Sequence, residues 1–290
     1  MHNFNRPDKA ASRVNEIASM TSQDILGYAQ ILLLLAGVAA WIRALRRGRA
    51  QQWLDAPNRL PPWTIRGSDF MLFALLVVVF LSLGPALAFR VFDMDVASKP
   101  AVRETLIQGF TFQLSGLTAC LLFRIHPQGT PPPSPGFDLP AIWTGVCAFL
   151  YLMPIFSALV VATAWLMKAA GLDPEPQDLI ETFRAAGTPL EITLLIILAV
   201  IVAPLTEELI FRAGVFRFLH ARIPTAWAMG ISSILFALLH QNTLTFPPLI
   251  LLGCVLCALY QKTGRLSASI ALHAMFNLNS VLVILFGPEV

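Results

Sequence analysis

The sequence predicts an all-α, polytopic transmembrane helical bundle of about eight spans. Three observations predict it. The chain of 290 residues is 56% hydrophobic and only 13% charged, against roughly 25% charged residues in a soluble domain. Its apolar residues fall in runs close to the ~20 residues that cross a bilayer as helix. Basic clusters and Pro- or Gly-rich stretches separate the runs, as connections between spans require.

The runs are 24–42, 70–89, 105–123, 141–167, 190–219, 225–241, 246–261 and 267–286. The first reads as a retained anchor. Residues 1–23 before it are polar and mixed in charge (Arg6, Asp8, Lys9, Arg13, Glu16), and no short apolar stretch there ends in a small-residue cleavage site. After the third run, Pro131 to Gly136 cannot be helical. Gly171 to Pro176 ends the fourth. The fifth is long enough for one end to project beyond lipid. The sixth and seventh are short and read as tilted or re-entrant, with Pro247 and Pro248 opening the seventh. No internal repeat is visible. The organisation is a polar segment (1–23), N-terminal transmembrane helices (24–189) and a C-terminal membrane core (190–290).

Orientation follows from the basic residues. The loop after the first run holds Arg43, Arg46, Arg47, Arg49, Arg59 and Arg66. Alternation puts Arg124, Arg217, Arg222, Lys262 and Arg265 on that same, expectedly cytoplasmic, side. The opposite side receives Asp173, Glu175, Asp178 and Glu181, together with Arg90, Lys99, Arg103, Lys168 and Arg184. Trp41, Trp63, Trp143, Trp165 and Trp227 fall near expected span ends, where indole prefers the interface. The formal charge of +3 and the lack of a basic tract interleaved with aromatics exclude nucleic acid as a partner. Cys254 and Cys257 form a C-x-x-C inside an apolar helix pattern, with no second cysteine pair, and read as packing residues rather than redox or metal ligands.

Three polar clusters break the last runs: Glu207-Glu208-Leu-Ile-Phe-Arg212, Phe236-Ala-Leu-Leu-His240 and His273-Ala-Met-Phe-Asn277. Ionisable groups at bilayer depth are costly unless paired or hydrated, so they mark function. Adjacent Glu207 and Glu208 point about 100° apart on a helix and so do different jobs. Glu208 and Arg212, four apart, share a face and can pair. Glu207 is left without a local partner and reads as a general base or acid. Pro204 frees the carbonyl of Val200, with water as the expected donor. His273 and Asn277 share a face, suited to an oxyanion or to one metal ligand with an amide beside it. Counting about 1.5 Å per residue, Glu207, His240 and His273 lie roughly 18, 22 and 9 Å from the cytoplasmic ends of their helices. H-E-x-x-H, G-x-S-G and G-x-G-D are absent from the sequence. Carboxylate plus imidazole is the inventory of a water-activating intramembrane hydrolase.

Glu-Glu-x-x-x-Arg, Phe-x-x-x-His and His-x-x-x-Asn, in that order over about residues 190–286, resemble the motifs of the CPBP intramembrane proteases. That family includes the CAAX prenyl endopeptidases of the Ras-converting type. The resemblance implies that Glu207 activates water with help from His240, that His273 and Asn277 stabilise the oxyanion, and that Glu208 and Arg212 pair in support. It implies either a metal-free glutamate-dependent mechanism or a divalent metal, zinc, held by Glu207, His240 and His273. The expected partners are membrane lipids and a membrane-tethered protein or peptide, a CAAX-like tail or a peptide precursor, with the chain in a bacterial cytoplasmic membrane. The alternatives are a non-proteolytic binding or immunity protein on the same fold, and a proton-coupled transporter. The transporter lacks the paired repeats or matched broken helices that it would be expected to show.

Overall fold

The computed structural model describes residues 21–94, 101–125, 138–173 and 178–287. Most of the polar N-terminal segment, the Pro131–Gly136 connection, Lys99 and Glu175 lie outside these residues. The described residues form ten helices: α1 (Ser22–Arg46), α2 (Arg49–Leu54), α3 (Gly67–Val91), α4 (Val102–Ile125), α5 (Leu139–Ala169), α6 (Asp178–Ala185), α7 (Pro189–His220), α8 (Thr225–Leu238), α9 (Phe246–Thr263) and α10 (Leu266–Phe286). Seven of them, α1, α3, α4, α5, α7, α9 and α10, are long and apolar enough to cross a membrane. The chain is a multi-pass helical bundle, as its composition predicts.

The sixth expected span is the exception. α8 has 14 residues, about 21 Å of helix against a hydrocarbon layer of ~30 Å. The apolar run continues to residue 241, but the backbone turns at Gln241, whose φ is 47°. α9 then starts with Pro247 and Pro248 in its first turn, where a missing N–H costs nothing.

Local chemistry sets the other ends. Thr21 caps α1 and Thr188 caps α7, each in a reciprocal capping box with Asp24 or Glu191 three residues on. α9 stops at Gly264, whose φ of 66° suits glycine, and a Cβ there would also press on the Arg59 carbonyl.

α3 packs on α4, α8 on α9, and α10 and α1 on α5. The main core joins Phe73 (α3), Phe123 (α4), Phe149 (α5), Phe211 (α7), Phe236 (α8), Leu252 (α9) and Leu272 (α10). The outward faces carry exposed Leu, Ile, Val and Trp, including Leu75, Leu87, Trp143, Trp165 and Trp227. That is the surface lipid requires. Cys254 and Cys257 are free thiols within α9, and Cys257 is buried, consistent with packing.

At the basic end, residues 55–66 form a non-helical strap, interrupted by Pro57, Pro61 and Pro62. Arg59 N–H donates to the Gln261 carbonyl at 3.0 Å, and Lys262 Nζ donates to the carbonyls of Leu54 (2.7 Å) and Ala56. Arg222 Nη2 donates to the Ile65 carbonyl. The strap buries Trp63 to 2% exposure instead of leaving it at the interface.

The α5–α10 contact needs Gly145. A Cβ on it would collide with the Ala268 carbonyl and crowd Ala271. Replacement by valine is expected to destabilise by about 1–3 kcal/mol, the range for overpacking. Thermal unfolding in detergent checks this, and an unchanged midpoint would show the contact is loose.

Candidate active site

The candidate residues sit where α7 departs from regular α geometry. Residues Leu198–Val202 and Leu209–Phe216 are π-helical, and the short α stretch Ala203–Glu208 lies between them. π-turns are uncommon and gather at functional sites. Pro204 explains part of the arrangement. Ala203 N–H donates to the Leu198 carbonyl five residues back. In the same register, a donor at 204 would serve Ala199, and proline has none. The side-chain amide of Asn277 on α10 fills the role, donating from Nδ2 to the Ala199 carbonyl at 2.8 Å. The sequence expectation was a freed Val200 carbonyl met by water. The wider π-turn shifts the freed group by one residue, and a side chain serves it.

Glu208 is fully buried and is met from two helices. Its Oε1 lies 3.1 Å from Arg212 Nη1 on its own helix and 2.9 Å from His273 Nδ1 on α10. Arg212 is also fully buried; its Nη2 reaches the Gly253 carbonyl at 3.5 Å, and its guanidinium stands 4.5 Å from the centroid of Phe236. α8 and α9 close over this pair because Gly253 has no side chain. A Cβ there would come within 2.7 Å of Ser233 Cβ.

Glu207 points away from that pair, as adjacent helical positions must. Its Oε1 accepts from Gln113 Nε2 at 3.1 Å, and its Oε2 faces His273 Nε2 at 3.7 Å. Glu207 keeps 18% side-chain exposure while His273 keeps 2%. One imidazole therefore stands between the two carboxylates. Gln113 comes from α4, in the half of the chain where the sequence offered only hydropathy. Its residue type gives little signal there, because α4 also carries Gln108, Thr111, Ser115 and Thr118. The helix is held against α7 by the Thr206 hydroxyl, which reaches the Gln113 carbonyl at 3.3 Å.

His240 stands apart. It is exposed at the end of α8, and no hydrogen bond or ion pair joins it to Glu207 among the described residues. Its Nδ1 lies 3.0 Å from the Phe236 carbonyl. A carbonyl only accepts, so Nδ1 carries the hydrogen and Nε2 presents a lone pair when the ring is neutral. The Phe236 ring links it to the rest, edge-on to His240 at 4.9 Å and to His273 at 5.6 Å between centroids. The structure thus brings Glu207, Glu208, Arg212 and His273 into one contact set, joins Asn277 to it through Ala199, and ties His240 to it only through the Phe236 ring.

The zinc set expected from Glu207, His240 and His273 is not assembled in this arrangement. No group of three His, Cys, Asp or Glu side chains placed to hold a metal occurs among the described residues. Nδ1 of each histidine is already engaged, and the Phe236 ring lies against both His240 and His273. A three-ligand catalytic zinc does not fit these positions, and no step below is routed through a metal.

Removing Arg212 would leave Glu208 buried with the imidazole alone. The Arg212→Ala substitution is expected to cost about 3–5 kcal/mol, the range for breaking a buried pair. A lowered unfolding midpoint in detergent checks it, and near-normal stability would mean that His273 suffices.

Residues 189–279, which hold all of these residues except Gln113, match the family model described as Type II CAAX prenyl endopeptidase Rce1-like. The "Putative membrane peptidase YdiL" of Bacillus subtilis (strain 168) is 33% identical over 86 residues, which are 30% of this chain and 35% of that protein. The match thus spans about a third of the curated relative's length. No solved structure matches this chain. The resemblance read from the three motifs is thus matched by that family model over residues 189–279.

Proposed function

We propose that this protein is an intramembrane endopeptidase that hydrolyses a peptide bond in a membrane-associated substrate, with Glu207 as the general base. The observation that carries this reading is the gap between Glu207 Oε2 and His273 Nε2. At 3.7 Å it is too long for a direct hydrogen bond and suits a water touching both groups. Each side of the gap is fixed from behind, Glu207 by Gln113 and His273 by Glu208.

The steps follow from the donors and acceptors present. Glu207 takes a proton from water as the water oxygen attacks the scissile carbonyl carbon. Negative charge moves onto the carbonyl oxygen. His273 donates from Nδ1 to Glu208, and in its imidazolium form it also donates from Nε2 toward the reacting centre, where it meets the oxyanion. Asn277 spends one amide hydrogen on Ala199 and has a second for the same oxygen. Collapse breaks the C–N bond, and the leaving amine takes the proton held by Glu207. His240, with its Nε2 lone pair outward, assists proton exchange at the open edge of the site.

The substrate class follows from location. The groups lie inside membrane-spanning helices, so the peptide is tethered to or embedded in the bilayer. The family model that matches is described by CAAX prenyl endopeptidases, and a lipid-modified tail or a membrane-held peptide precursor fits that site. The proposed setting is a bacterial cytoplasmic membrane, with the basic loops on the cytoplasmic side.

A lipid-tethered fluorogenic peptide in proteoliposomes tests the reading. Glu207→Gln is expected to lower kcat by about 10²–10⁴, the usual contribution of a positioned base, with the unfolding midpoint kept. Unchanged cleavage by a folded variant would sink Glu207 as the base, whereas no cleavage by the parent chain would leave a binding or scaffold protein. Gln113→Leu removes the amide that orients Glu207. It is expected to lower kcat about 10-fold, or ~1.4 kcal/mol of barrier, with KM unchanged. An effect on KM alone would assign Gln113 to substrate binding. Elemental analysis with chelation addresses the metal. The glutamate route expects activity to persist in metal-free protein, whereas loss that zinc restores would replace it.

A further inference from the structure

α7 buries a second arginine, and no carboxylate among the described residues pairs with it. Arg217 is 2% exposed, and its Nε and Nη1 are enclosed without a hydrogen-bond partner among the described residues. Arg212, five residues earlier, has Glu208. Arg217 instead has the ring of Trp63, whose centroid lies 5.3 Å from the guanidinium carbon. A cation–π contact is weaker than the hydration a buried guanidinium gives up. The described acids at this end of the bundle are used elsewhere. Asp55 accepts from the Gln51 amide, Asp69 from Arg66 N–H, and Asp138 pairs with Arg265.

Two more donors are enclosed in the same corner. Trp63 Nε1 and Tyr260 Oη are buried and likewise lack a partner among the described residues. Tyr260 packs with Leu60 of the strap and with Phe216, the residue before Arg217, and is within Coulombic reach of Arg217. The three side chains come from three elements: the strap, α7 and α9. An indole N–H and a guanidinium only donate, and a phenol donates readily. A set of donors around one positive charge selects an oxyanion.

The level of the corner narrows the chemistry. It lies at the basic end, beside Arg59, Arg66, Arg124, Arg222, Lys262 and Arg265. Lipid phosphates lie at that level, and basic pockets between helices bind them. A guanidinium fork matches two phosphate oxygens at once.

We propose that Arg217, Trp63 and Tyr260 form a site for a phosphate group, separate from the Glu207 site, that pins the strap of residues 55–66 onto the ends of α7 and α9. The source is a phospholipid headgroup or free phosphate. Binding couples to folding, because the site exists only while the strap is seated.

The test uses the full chain, lipid-depleted in a maltoside detergent. Its unfolding midpoint is followed against inorganic phosphate, short-chain phosphatidylglycerol, and chloride at matched ionic strength. A saturable rise of at least about 2 °C is expected with a phosphate-bearing probe and not with chloride. A response to inorganic phosphate identifies a free-ion site, and a response to phosphatidylglycerol alone identifies a headgroup site. Arg217→Met is expected to abolish the rise. Trp63→Phe, which keeps an aromatic ring and loses the N–H, is expected to move the half-saturating concentration upward several-fold. The proposal is overturned if neither probe gives a saturable rise or if Arg217→Met responds as the parent does. Should Arg217→Met not fold, an unchanged half-saturation in Trp63→Phe overturns it.

Discussion

The arrangement rests on one buried carboxylate. Glu208 cannot sit ionised in an apolar interior unless it is paired and hydrogen-bonded. Two groups meet that need, and they come from different helices: Arg212 on α7 and His273 on α10. Because both must reach the same oxygen, Glu208 fixes how α7 is rotated against α10. The rotation in turn aims Glu207, about 100° around the helix, toward Gln113 and the second nitrogen of His273. Phe236 closes the other side, with its ring against the guanidinium and the imidazole. The proposed base is thus positioned by its neighbour in the sequence rather than by its own partner alone.

The π-turns give α7 a shape that a regular helix would not have. Each adds room to the turn and changes which carbonyl is left unpaired. On the Pro204 side, the freed Ala199 carbonyl draws in Asn277, so α10 is attached to α7 at two levels, by His273 and by Asn277. That double attachment spaces the His-x-x-x-Asn pair against the Glu-Glu pair. A slide of α10 along α7 by one turn would break both contacts and leave Glu208 with Arg212 alone.

Much of this was legible in the sequence. The helical spans, the pairing of Glu208 with Arg212 and the closeness of His273 to the glutamates follow from hydropathy, i to i+4 spacing and the cost of charge in lipid. What escaped is also instructive. The depth count put His273 nearly 10 Å from the level of Glu207, because it measured each helix to its own end. α7 runs on to His220 under the strap, beyond the level where α10 starts. The π register cannot be read from residue type, so the unpaired carbonyl was placed one residue too late. Gln113 had no motif around it, and it shares its helix with Gln108, Thr111, Ser115 and Thr118, so it is ambiguous until its neighbour across the bundle is known. Trp63 read as an interface residue because tryptophan near a span end commonly is one, and the strap to which it belongs, which also buries Leu60 and Ile65, has no periodic pattern.

The short α8 ties the site to the bilayer. Its roughly 21 Å ends short of the far side of a ~30 Å hydrocarbon layer. The turn after it, with His240 exposed and Gln241 at positive φ, therefore falls at membrane depth. Non-helical backbone persists at that depth only where protein covers it or water reaches it. A hydrolase within lipid needs that second condition, because its co-substrate is water. The sequence departs from a full span at the helix that leads into the exposed His240, while Glu207 keeps partial exposure among buried neighbours. Under the proposed function, a break in the bundle at this point is where water and an extended peptide would approach Glu207 without opening the Glu208–Arg212–His273 clamp.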